Sequence, residues 1–104
     1  MITVTVLYPN REGAKFDMNY YLGKHIPMVK KLLGPALKGV VVEQGIGGGA
    51  PGSKATYSVV CHLRFDSAEA FQAAFAPHAE TVSSDVRNYA SIEPVIQMSE
   101  VKLA

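Results

Sequence analysis

The stretch Thr56-Tyr57-Ser58-Val59-Val60-Cys61-His62-Leu63-Arg64-Phe65 decides how this chain folds. Tyr57, Val59, Cys61, Leu63 and Phe65 alternate with Thr56, Ser58, Val60, His62 and Arg64. Period two marks a strand with one face against a core. The other face is mixed, neither charged enough for plain solvent nor fully apolar.

Working outward, Gly45 to Lys54 precedes it as a loop with five glycines, expected to be mobile because ordering glycine costs so much entropy. Before that loop, Lys38 to Gln44 forms a strand centred on Val40-Val41-Val42. On the other side, Asp66 or Ser67 caps a helix carrying Phe71 and Phe75, with Glu69 at capping-box distance from Asp66. Pro77 interrupts this helix, which resumes to about Asn88, and Val95 to Val101 is the last strand. At the front, Ile2 to Tyr8 alternates as a first strand, and Asp17 caps a helix that Gly34-Pro35 stops after Leu33. The order β-α-β-β-α-β is the split βαβ, ferredoxin-like arrangement, an α+β fold with both helices on one face of a four-stranded antiparallel sheet.

A chain of 104 residues is one domain, spanning 1–104. Ten Lys and Arg against nine Asp and Glu leave +1, no footprint for nucleic acid or an anionic membrane. The open-face positions Thr3, Thr5, Ser58 and Val60 cannot stack bases, which argues further against RNA. No apolar run reaches bilayer length, no export signal is evident, and the single Cys61 excludes an internal disulfide. These features predict a cytoplasmic protein with no membrane partner.

Gly47 to Gly52 formally matches G-x-G-x-x-G, but Pro51 and the following strand deny it the helix that a dinucleotide site requires. No cofactor is therefore expected, and three scattered histidines predict no metal.

The first helix carries the chemistry. Met18, Tyr21, Leu22, His25 and Val29 fall on one stripe, which makes His25 a titratable group within an apolar face. Pro27 cannot donate to the carbonyl of Gly23, so a kink is expected near His25. Partial burial disfavours the imidazolium and would leave His25 a proton acceptor near neutral pH, with Tyr21 one turn away to polarise a substrate. The alternative is a core histidine bonded to a carbonyl freed by the kink. His62, on the open face, together with Val60 and Tyr20, is a candidate for substrate binding.

Tyr8-Pro9, then Phe16-Asp17-Met18-Asn19-Tyr20-Tyr21-Leu22-Gly23-Lys24-His25-Ile26-Pro27, and later Pro77-His78-Ala79, Asp85, Asn88-Tyr89 and Glu93-Pro94, resemble the EthD family of ethyl tert-butyl ether degradation proteins. The resemblance implies a dimeric α+β barrel, a homodimer in which two ferredoxin-like subunits pack sheet against sheet. It also implies a small-molecule ligand, catabolic chemistry of reductase or isomerase type, and an association with an oxygenase system. Cofactor-free acid/base work on a small apolar carbonyl or lactone-like compound, by His25 and Tyr21, is the expected activity. A non-catalytic carrier or accessory protein for such an oxygenase is the alternative.

Overall fold

A computed structural model describes residues 1–104. Strands β1 (Ile2–Pro9), β2 (Gly39–Gln44), β3 (Tyr57–Phe65) and β4 (Val95–Glu100) form one antiparallel sheet in the order β2-β3-β1-β4. The strand expected to decide the fold is an inner one. Its alternation holds: Val59, Cys61, Leu63 and Phe65 are buried, whereas Ser58, Val60 and His62 are only partly covered. From β1, Ile2, Val4 and Tyr8 join the same core. Phe65 is fully buried, and truncating a residue so placed to Ala costs about 3–5 kcal/mol.

Helical segments cover that face. Asp17 caps α1 (Met18–Tyr20) by accepting from the Tyr20 N–H. A π-helical turn, Tyr21–His25, leads directly into α2 (Ile26–Leu33). The expected disturbance at Pro27 therefore takes a definite form. The Ile26 N–H bonds the Tyr21 carbonyl, five residues back, so the ladder widens by one residue immediately before the proline that cannot donate.

Widening also changes which side chains face inward. Tyr21, His25, Ile26, Val29 and Leu33 are buried, but Leu22, expected on the stripe, is 51% exposed. A uniform 3.6-residue period cannot register the extra residue, and Ile26 occupies the inward position instead.

Gly34 ends α2 with φ +59°, a left-handed conformation suited to glycine, and Pro35 follows it. After β3, Ser67 caps α3 (Ala68–Phe75) by accepting from the Ala70 N–H. A 3-10 turn at Ala76–His78 carries Pro77, and α4 (Ala79–Asp85) ends in a second such turn, Val86–Asn88. In the long β2–β3 loop, Gly45 lies against the Tyr57 carbonyl so closely that no Cβ fits. No helix is long and apolar enough to cross a membrane.

Candidate functional site

Between the helices and the sheet lies a cavity of about 320 Å³, and 15 of its 19 lining residues are hydrophobic. Val4 and Val6 from β1, Ile26 and Val29 from α2, and Phe71 and Phe75 from α3 supply much of its wall. Besides Ser83 and Glu93, its polar lining is a cluster of four touching groups, Tyr8, Tyr21, His25 and Tyr89.

His25 is the single buried polar residue, 4% exposed. Its Nδ1 lies 2.8 Å from Asp85 Oδ2. Asp85 ends α4 and also accepts from the Tyr20 hydroxyl at 2.7 Å and the Asn88 side-chain amide at 2.9 Å. Burial alone would raise the Asp85 pKa, but the bonds from Asn88, Tyr20 and His25 together bring it below the usual value. The carboxylate is thus ionised and can only accept, which fixes the His25 proton on Nδ1. Burial pushes His25 below its ordinary pKa, outweighing the opposing pull of Asp85. A neutral imidazole with its Nε2 lone pair free to accept is the form at neutral pH.

That lone pair meets the Tyr89 hydroxyl at 3.3 Å, and Tyr89 in turn lies 2.6 Å from the Tyr8 hydroxyl. With Nε2 as acceptor, Tyr89 donates to His25 and Tyr8 donates to Tyr89. Desolvation raises Tyr8 to about 12 and drives Tyr21 and Tyr89 higher, so all three phenols stay protonated donors. The His25 ring stacks on Tyr21, centroids 5.4 Å apart, and its centroid lies 4.5 Å from that of Tyr89. Rigid aromatic packing of this kind holds the imidazole to one orientation.

The candidates named from sequence separate into three places. His25 and Tyr21 border the cavity. Tyr20 does not line it but bonds Asp85 from outside. His62 and Val60 lie on the opposite face of the sheet and cannot share a ligand with His25, because neighbouring positions on a strand point to opposite sides. His62 there pairs with Glu43 on β2 at 2.9 Å. Sequence reasoning missed Asp85, Tyr89 and Tyr8 as functional partners of His25. Asp85 and Tyr89 lie four residues apart at the end of the second helical segment, a spacing that puts both on one side. No cluster of three or more metal-ligating side chains forms.

Comparison with known proteins agrees with this architecture. No curated protein matches the chain. A solved EthD-like protein from Ralstonia eutropha JMP134 is 44% identical, covering 98% of this chain and 92% of that one, with a TM-score of 0.92. An ethyl tert-butyl ether degradation (EthD) family protein from Bacillus halodurans C-125 shares the fold at 22% identity, with coverage of 97% and 98% and a TM-score of 0.74. HapK from Hahella chejuensis does so at 16% identity, with coverage of 100% and 96% and a TM-score of 0.57. The EthD domain model matches residues 13–93, which include the π turn, His25, Asp85 and Tyr89. The chain belongs to the EthD family.

Proposed function

We propose that the cavity performs proton transfer on a small, largely apolar carbonyl compound, with His25 as the base. The observation that carries this reading is a buried imidazole that lines an apolar cavity, held by Asp85 on one nitrogen and met only by the Tyr89 hydroxyl on the other. Nε2 takes a proton from the carbon next to the carbonyl, and the C–H electron pair moves into the enolate. Tyr21 or Tyr89 donates a hydrogen bond to the oxygen on which charge develops. Asp85 balances the imidazolium that forms, and Tyr20 and Asn88 position Asp85. Returning the proton to a different carbon isomerises the compound. Substrate entry replaces the long Tyr89–His25 contact, which at 3.3 Å is weak to begin with.

The test is exchange of the α-hydrogens of β-tetralone, a neutral bicyclic ketone, with deuterated solvent. The protein should accelerate exchange, and His25→Gln should abolish the acceleration while leaving the fold intact. Binding of the ketone without exchange would sink the catalytic reading and identify a carrier, the role expected of an accessory to an oxygenase. Two chains pair through the open sheet face in this proposal. That face carries Thr3, Thr5, Leu7 and Val60 beside Val41 and Val95, the last two 53% and 51% exposed. Sedimentation showing a monomer at micromolar concentration would overturn the pairing.

A further inference from the structure

The cavity wall contains no lysine or arginine, and its one formally charged residue is Glu93. Glu93 precedes β4 in the segment Glu93-Pro94, which reaches the same wall as Tyr8 and Tyr89. Asp85 stands directly behind His25. The cavity is therefore lined by one carboxylate, with a second behind His25, and by no permanent cation. Burial keeps His25 neutral, so it supplies no positive charge at neutral pH either. Burial is also the main reason that Tyr8 resists ionisation, and the charge on Glu93 adds a small push in the same direction.

Resting on the proposed proton-transfer site, we infer that Glu93 is a specificity-determining residue that makes the cavity select uncharged ligands and refuse carboxylates. A ligand carboxylate placed at the phenols would lose its water and gain no cationic partner, which disfavours it before any repulsion is counted. Glu93, a solvent-exposed member of the lining, adds repulsion that water partly screens. A neutral ester or ketone loses little on entry and recovers a hydrogen bond from a phenol. The substrate class is then a neutral carbonyl compound, such as an ester, lactone or ketone, in preference to a free acid.

Calorimetry with methyl β-naphthoate and β-naphthoate tests this, since the two share ring and carbonyl and differ in charge. At low ionic strength the ester should bind at least about tenfold more tightly. Glu93→Gln should cut the ester-to-acid ratio by roughly three- to tenfold, the size expected for one carboxylate several ångströms away at intermediate dielectric. Added salt should shrink the ratio in the native protein and much less in the variant. Equal affinity for acid and ester, or a ratio unchanged by Glu93→Gln, overturns the inference. The readout is independent of catalysis: charge selection without exchange of β-tetralone sinks the proton-transfer reading alone. Exchange without charge selection sinks this inference alone, and binding of neither naphthalene compound overturns it as well.

Discussion

The molecule holds two histidine–carboxylate pairs of almost the same length, on opposite faces of one sheet. His25 and Asp85 are 2.8 Å apart with side chains 6% and 15% exposed, whereas His62 and Glu43 are 2.9 Å apart at 35% and 58%. Distance does not distinguish them. The buried pair is set in a network of Tyr20, Asn88, Tyr89 and Tyr8, each making a defined bond. The exposed pair has water as its competitor and makes no further side-chain bond. A surface pair of that kind contributes little, about 0–1 kcal/mol. The enclosure, rather than the pair itself, gives a tautomer, an orientation and a reason to be neutral.

The largest expected effect separates the pairs by chemistry. His25→Gln should reduce ketone exchange by roughly 10²–10⁴-fold, the contribution of a positioned general base. His62→Gln should leave the exchange rate near that of the native protein, as followed by proton NMR. A substantial loss in the His62 variant would erase the distinction drawn here.

Asp85→Asn comes next. It removes a carboxylate with three partners, so thermal or urea unfolding should show a loss of about 2–3 kcal/mol. An amide can also accept or donate at Nδ1, which frees the tautomer, and exchange should fall roughly tenfold or more. An unaltered unfolding midpoint would place Asp85 among ordinary surface carboxylates.

Acid sharpens the contrast through its sign. The folded-state pKa of His25 lies below its unfolded value of 6.5, so the folded state binds fewer protons in that range. Its contribution to stability is complete above 6.5 and is lost as pH falls through the lower folded value. Asp85, depressed from 3.8, adds a second loss further down. Denaturant midpoints measured from neutral pH downward should therefore decline in the native protein before carboxylates titrate, and His25→Gln should flatten that first decline.

The smallest effect belongs to Glu43→Gln, which should shift stability by no more than about 0.5 kcal/mol in urea unfolding.

How much of this could be read beforehand follows from the physics of each element. Strand parity at Val59 to Phe65 depends on neighbours along the chain, so alternation exposed the covered face, and the caps at Asp17 and Ser67 were equally local. His25 stood out as a polar residue among apolar ones. Parity also held the information that His62 and Val60 face away from the helices, although a functional role drew them towards the same ligand. Asp85 and Tyr89 joined His25 across 60 and 64 residues of sequence, and no local pattern reports such a contact. Leu22 failed for a different reason: the turn containing it does not keep the α-helical period.

That turn has a consequence for how the site could be gained or lost. A π turn amounts to a single codon inserted into an α-helix, and the insertion is tolerated because Pro27 already left a gap in the ladder. Deleting Gly23 would close the widened turn into an ordinary helix, with Tyr21 three residues before His25 instead of four. Tyr21 would then shift along the helix surface relative to the imidazole on which it stacks. One reading-frame-preserving deletion thus leaves the cavity walls on α2 and the sheet in place while loosening the stacking that orients His25.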